Sequence, residues 1–203
     1  MNIRTLIVVS LTAFAFLSCQ DPEITSPNDT NVDDFALPEG AIPSGTVIVP
    51  YMPQRSNNIV YLSEEHFVVQ VIIYNVPPQT SRGWFEVEVP PCMKIDTVKA
   101  NPKYFDSTGM HSIFVKLIDS LRQNAQYAVS YTRDNTVKTR SSGVLCNLVC
   151  KPAGKGGGKI KFPTSPVFEE LVGSNIVGAK GASFRPIALT LDSLDVEVKD
   201  GLD

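Results

Sequence analysis

The sequence is poor in basic residues, in histidine and in tryptophan. Its 18 Lys and Arg residues are outnumbered by 21 Asp and Glu residues, and the formal net charge is −3. The chain has no run of basic residues, so it lacks the electrostatic footprint of a nucleic-acid-binding protein. It contains only two histidines, His66 and His111, and a single tryptophan, Trp84. These absences exclude nucleic acid as a partner and leave little imidazole for catalysis or metal binding.

No pattern typical of an active site or a metal site occurs. His66 opens an apolar segment directly after two glutamates, and His111 has no acidic neighbour in the sequence. Glu86 and Glu88 would project about 7 Å apart from one strand face, but exposed acids on a sheet usually serve solubility rather than glycoside hydrolysis. The glycine-rich residues 154–158 lack the Lys-Ser/Thr of a phosphate loop and predict a hairpin turn. We therefore expect no enzymatic activity, no catalytic residue, no metal and no cofactor.

The first 18 residues have the pattern of an export signal. Arg4 precedes an apolar run over residues 6–17 that is too short to span a bilayer and ends in a small residue. Residues 16–19, Phe-Leu-Ser-Cys, resemble a bacterial lipobox, in which the cysteine becomes the lipidated first residue of the mature protein. We therefore predict a signal peptide at residues 1–18 and a lipid anchor at Cys19. This predicts a location at the outer membrane or cell surface, with membrane contact through the lipid only.

Residues 19–44 are acidic and interrupted by proline. They contain no Lys or Arg, and their prolines occur at positions 22, 27, 38 and 43. Such a segment buries little apolar surface, so we predict a linker that holds a folded domain, residues 45–203, away from the membrane. The acidic residues after the cysteine also resemble the surface-export signals of Bacteroides-like lipoproteins. The alternative is a solvated linker without such a signal.

Three cysteines remain once Cys19 is assigned to the lipid. Cys146 and Cys150 are four residues apart in a predicted strand, which separates them by about 13 Å and prevents a mutual disulfide. Two alternatives stay open: a bridge from Cys92 to one of them, or three buried thiols that act as small apolar side chains. The spacing does not match paired zinc ligands.

Downstream of Gly45 the apolar residues alternate in short segments. Along residues 84–89, one face carries Trp84, Glu86 and Glu88, and the other face carries only apolar residues. This alternation predicts a strand with one face toward a core and an acidic, aromatic face toward solvent. A longer strand is predicted after Gly143, with the inward residues Val144, Cys146, Leu148 and Cys150.

Further strands are predicted at residues 46–51, 67–73, 93–100, 113–117, 127–131, 159–162, 187–191 and 194–198. Pro, Gly and Asn separate these segments, and a helix-like spacing occurs only at residues 167–172. About nine short strands joined by turns favour an all-β fold, a nine-stranded antiparallel β-sandwich.

The order of the segments resembles that of the cohesin domain over most of residues 45–199. The resemblance lies in the strand that ends at Asn75 and in the stretches 83–87, 93–98 and 143–149, the last leading through glycines to 159–162. Cohesins are nine-stranded jelly-roll sandwiches, related in fold to carbohydrate-binding modules, and they bind dockerin modules to assemble extracellular enzyme complexes. The resemblance implies a cohesin-like jelly roll that binds a dockerin-like protein partner. This chain carries one module without a repeat, unlike a multi-enzyme scaffold.

The resemblance also implies a binding face. In cohesins the dockerin contacts lie on the sheet made by the third, fifth, sixth and eighth strands. The corresponding outward residues here would be Trp84, Glu86, Glu88, Tyr131 and Asn147. The alternative for Trp84 is a ring that caps the edge of the core.

A second hypothesis is a carbohydrate-binding module of a surface glycan-utilisation system, with a polysaccharide as its partner. Such a module needs two or three coplanar exposed aromatic rings, and the chain has one Trp and six Tyr residues. A row formed by Trp84 and two tyrosines would favour a sugar, whereas a flat face of mixed polarity would favour a protein.

Overall fold

The computed structural model describes residues 33–53, 55, 57–101, 104, 111–117, 123–131, 142–174 and 179–201. The predicted signal peptide and Cys19 lie outside these residues. The strands are β1 (Val47–Tyr51), β2 (Ile59–Tyr61), β3 (Phe67–Tyr74), β4 (Thr80–Glu88), β5 (Met93–Ala100), β6 (His111–Leu117), β7 (Asn124–Tyr131), β8 (Gly143–Pro152), β9 (Gly156–Ile160), β10 (Val167–Val172), β11 (Ser183–Pro186), β12 (Thr190–Leu191) and β13 (Leu194–Lys199). The described ranges contain no helix long and apolar enough to cross a membrane.

The strands form two five-stranded sheets and one three-stranded sheet. The back sheet has the order β12-β1-β3-β8-β5, the front sheet has the order β11-β10-β4-β7-β6, and the small sheet has the order β2-β13-β9. Neighbouring strands are antiparallel except for the pairs β1 with β12 and β2 with β13, which are parallel. The predicted all-β sandwich is confirmed. The structure divides it into more strands than the nine expected, because β2 and β11 are too short for alternation to reveal and β10 has a helix-like spacing. The strand predicted at residues 187–191 is reduced to β12.

The hydrophobic core lies between the two large sheets. The back sheet contributes Val69 and Val71, and the front sheet contributes Phe85 and Tyr127, all of which are buried. The rings of Phe85 and Tyr127 stack with centroids 4.9 Å apart, and Phe162 meets Phe85 edge-on at 5.9 Å. Because these rings fill the space between the sheets, β4 is held with its apolar residues inward, as the alternation predicts.

Strand β8 is buried on both faces, and its inner face differs from the prediction at one position. Val144 pairs with Ile72 and Cys146 pairs with Val71, so Leu145 is an extra residue in β8. This β-bulge reverses the alternation. Leu145 belongs to the core in place of Val144, whereas Cys146, Leu148 and Cys150 face the core as predicted.

The segment with helix-like spacing is a strand, β10, paired with β4 on one side and β11 on the other. Its buried residues Phe168 and Leu171 lie three positions apart. The register shifts between Glu169 and Glu170. A bulge in a strand therefore produces the spacing that is otherwise typical of a helix.

The glycine-rich segment also differs from its prediction. Residues 156–158 are not a turn but the start of β9, where Gly156 pairs with Val198 and Gly158 pairs with Val196. A side chain at Gly158 would collide with Pro90, so glycine is needed there for close packing. Further along, Ile160 is buried and both flanking lysines are exposed, as expected.

Cys92, Cys146 and Cys150 are free and buried. Of the two alternatives for the cysteines, the structure shows three buried thiols. Complete burial raises the pKa of the Cys146 and Cys150 thiols far above the ordinary value, because the charged thiolate would lose its hydration.

Candidate functional site

The outer face of the front sheet carries the residues that the alternation of β4 turns toward solvent. Trp84, Glu86 and Glu88 are half-buried, and each lies next to a fully or almost fully buried residue of the same strand. Arg82 is exposed on the same face. The ring contacts of Phe85 hold its side chain in the core. Because successive side chains of a strand point to opposite faces, the side chains of Trp84 and Glu86 must lie on the outer face.

Trp84 is the centre of an apolar stripe that crosses three strands. Its register partners are Val167 on β10 and Ala128 on β7. Val167 is a large apolar side chain that is 46% exposed. Trp84 does not belong to the core between the sheets, nor to the partly buried residues packed against that core. The ring therefore lies on the outer face, and the alternative of an edge cap does not fit this geometry.

One border of the stripe is an ordered group of charges around Arg82. Its guanidinium forms an ion pair with Glu169, its register partner on β10, and lies 3.7 Å from the ring centroid of Phe184. The adjacent Glu170 forms an ion pair with Arg185. Arg82 is therefore fixed by a carboxylate and an aromatic face at once, although its side chain is 45% exposed.

The opposite border is polar and carries both signs of charge. Glu86 accepts a hydrogen bond from Nδ2 of Asn124 at 3.0 Å, and Glu88 lies 3.3 Å from Nζ of Lys161. Gln126 of β7 is the register partner of Glu86 on β4 and of the exposed Lys116 on β6. The stripe is thus enclosed by polar groups on both sides.

Of the two remaining predicted binding residues, Asn147 does not join this group. Asn147 lies on β8 of the back sheet, is completely buried, and donates a hydrogen bond to the backbone oxygen of Asp34 at 2.8 Å. Alternation reveals the face of a strand but not the sheet to which it belongs, which is why the prediction for Asn147 is wrong. Tyr131 ends β7 in the front sheet, in register with His111. The side chains of Tyr131 and His111 lie outside the described residues.

Sequence reasoning missed the residues that neighbouring strands bring to Trp84. The outward position of Arg82 could have been predicted from the alternation of β4. The positions of Val167 and Glu169 could not, because they depend on the register between β10 and β4. Asn124 likewise reaches Glu86 only through the pairing of β7 with β4.

The described side chains place no tyrosine in the row of Trp84. Tyr127 faces the core and Tyr104 is buried. The other described tyrosines belong to the back sheet or the small sheet: Tyr51, Tyr74 and Tyr61. No group of three or more His, Cys, Asp or Glu residues in the described ranges is placed to hold a metal ion. The described side chains of the outer face thus have mixed polarity and include no tyrosine beside Trp84.

By sequence, neither a family model nor a curated protein matches the chain. Solved structures do match it in fold. The seventh ScaB type I cohesin from Pseudobacteroides cellulosolvens aligns with a TM-score of 0.57 at 12% identity, over 78% of this chain and 95% of that chain. The OlpA cohesin of a type I cohesin–dockerin complex from Clostridium thermocellum aligns with a TM-score of 0.55 at 16% identity, over 76% and 99% of the two chains.

A non-cellulosomal cohesin from the hyperthermophilic archaeon Archaeoglobus fulgidus is also similar, with a TM-score of 0.51 at 8% identity over 77% of this chain and 93% of that chain. At such identities the similarity establishes the fold alone. The strand order, the two packed sheets and these alignments together show that the chain has the cohesin-like jelly-roll fold that its sequence pattern predicted.

Proposed function

We propose that the protein is a non-catalytic, cohesin-like module that binds a dockerin-like protein partner on the outer face of its front sheet. The observation that carries the proposal is the apolar stripe of Trp84, Val167 and Ala128, enclosed by polar residues on both sides. A central apolar patch with a polar rim is the usual anatomy of a protein interface. Solved structures of the same fold include cohesins in complex with dockerins.

The charges around the stripe support a partner of mixed polarity. Arg82 is held by Glu169 and Phe184 before any partner arrives, so little side-chain entropy is lost when it binds. Glu86 is oriented by Asn124, and Glu88 by Lys161. A preorganised rim of this kind selects a partner by complementary charge, while the centre supplies most of the affinity.

The sequence of residues 1–19 suggests a cellular context for this module. We propose that the processed chain is lipid-anchored at the outer membrane or cell surface, with the lipid as its membrane contact. Support comes from the sequence of residues 16–19 and the apolar run before it. An anchored module with a free binding face would retain its partner at the surface of the cell.

The experiment compares the wild-type chain with Trp84→Ala, both carrying Cys19→Ala so that they stay soluble. Each is immobilised and exposed to extract of the producing organism, and retained proteins are identified by mass spectrometry. The proposal requires a protein that wild type retains and Trp84→Ala does not, followed by measured binding of that purified protein. Equal retention of the same protein by both chains would show that the binding site does not lie on this face. Retention of an oligosaccharide without a protein would replace the proposal with a carbohydrate-binding function.

A further inference from the structure

The outer face of the back sheet is buried, although it lies away from the core. Ile72 and Val144 are completely buried, and Val68 and Val149 are 3% and 5% exposed. None of the four belongs to the core between the sheets. In a sandwich the outer face of a sheet is normally polar and solvated, so another part of the chain must cover these residues.

The segment 33–43, which was predicted to be a linker, is attached to this face. Gln70 on β3 and Asn147 on β8 are register partners. Their side-chain amides both donate to the backbone oxygen of Asp34, at 3.1 Å and 2.8 Å respectively. Lys99 on β5, the next residue of the same row, lies 3.9 Å from a carboxylate oxygen of Asp33. Three residues in one row, one from each of three neighbouring strands, thus hold the N-terminal end of the segment.

A second attachment holds the other end. Asn75 donates from Nδ2 to the backbone oxygens of Pro43 at 2.6 Å and Gly45 at 2.9 Å. Asn75 has a φ of 54°, a left-handed conformation that Asn adopts more readily than most residues. Between the two attachments, Phe35 and Pro38 are half-buried and their neighbours are exposed.

We propose that residues 33–43 form an intramolecular strap that closes the outer face of the back sheet. Two buried amides serve as its docking point, and the apolar residues beside them are shielded from solvent and from other proteins. An uncovered apolar sheet face would be an association site. The strap therefore directs a partner to the outer face of the front sheet, and the folded unit includes residues 33–43, which the sequence assigns to the linker. This inference holds whether or not the partner resembles a dockerin.

The test measures proteolysis of the full chain, with Cys19→Ala present in every sample. In wild type, cleavage within residues 33–43 by a nonspecific protease should be at least about tenfold slower than cleavage of a free synthetic peptide of residues 33–45, as expected for a docked segment. Equal cleavage rates for the segment in the chain and in the peptide would overturn the proposal without the need for any further variant. Protection that disappears on dilution would show that the strap comes from a second copy, which also overturns it.

Two variants test the docking point. Gln70→Met with Asn147→Leu keeps the side-chain volumes and removes both donors to Asp34. This double variant should be cleaved within residues 33–43 about tenfold faster than wild type and should bind more of an apolar dye such as anilinonaphthalene sulfonate. The matched control is Lys99→Met, which removes only the exposed ion pair and should stay within twofold of wild type. Unchanged cleavage in the double variant would overturn the role of the two amides.

If the double variant does not fold, a chain lacking residues 33–43 provides a separate readout. It should bind the dye strongly, and a synthetic peptide of residues 33–45 added in excess should reduce that binding. Dye binding equal to that of wild type would mean that the segment covers nothing, and the proposal would fail.

Discussion

The ring of Phe168 on β10 occupies the space that a side chain at Gly83 on β4 would need. The two residues are register partners, and Phe168 is 1% exposed. The next pair along these strands is Val167 with Trp84, on the opposite face. Because position 83 is a glycine, β10 can lie close to β4 in this register. That register sets Val167 beside Trp84 and so determines the position of the exposed apolar stripe.

Gly83→Ala should destabilise the fold by about 1–3 kcal/mol, because a buried aromatic ring must shift to admit a methyl group. Urea unfolding followed by tryptophan fluorescence measures the change. Gly154→Ala is the matched control, since no atom lies within 4 Å of a side chain there. Equal free energies of unfolding for both variants would show that the Phe168 ring moves without penalty.

Phe85→Ala should lower the free energy of unfolding by about 3–5 kcal/mol, and Leu148→Ala by about 2–5 kcal/mol. Phe85 loses its contacts with Tyr127 and Phe162, and both variants leave a cavity between the sheets. Leu62→Ala, at a position that is 39% exposed, should change little. Thermal and urea unfolding measure all three. Unchanged stability for Phe85→Ala would contradict the inward phase of β4.

Trp84→Ala should weaken binding of the protein partner by about 2 kcal/mol or more and leave the melting temperature nearly unchanged. The reason is that a central aromatic side chain usually carries much of the energy of an interface. Calorimetry with the purified partner measures the affinity. Leu191→Ala serves as the control, because Leu191 is an exposed apolar residue of the back sheet, 41% exposed, away from the stripe. Lost stability with retained binding would place the site elsewhere.

Cys19→Ala should release the protein from the membrane fraction. A thiol is required for lipid attachment, and the residues directly after position 19 are too polar to insert into a membrane. Fractionation and immunoblotting measure the distribution. Cys92→Ala is the control, because Cys92 lies in the folded domain and should leave localisation unchanged. A Cys19→Ala chain found wholly with membranes would refute the lipid anchor.

The buried thiols predict a loss of stability at alkaline pH. Burial raises the pKa of Cys146 and Cys150 above the ordinary value of 9.0. Above pH 9 the unfolded chain therefore releases these protons while the folded chain keeps them, and the free energy of unfolding falls by up to about 1.4 kcal/mol per thiol per pH unit. Urea unfolding between pH 8 and about 10.5 measures this slope.

The double variant Cys146→Ala with Cys150→Ala is the control for that slope. Its absolute stability should be lower, because two buried side chains are shortened, but its decline above pH 9 should be shallower than that of wild type. Parallel declines in the two proteins would show that other groups cause the alkaline loss.

Local patterns were sufficient for the fold class and for the faces of most strands. The alternation around Phe85 places its neighbours Trp84 and Glu86 outward, because successive side chains of a strand must point to opposite faces. The same rule fails where a bulge adds a residue, as at Leu145 and between Glu169 and Glu170. Nothing in the local spacing distinguishes a bulged strand from a short helix, so β10 could not be recognised from the sequence.

The sequence by itself determined that the chain forms a sandwich of short strands and that Trp84 lies on an outer face, since both follow from the period of its apolar residues. Only the tertiary structure decided that Val167 joins Trp84, that Asn147 belongs to the other sheet, and that Asp34 docks on it from 113 residues away. These relations depend on strand register and on long-range hydrogen bonds. A periodic pattern carries no information about which distant strand supplies the partner, because pairing is chosen by the packing of the whole core.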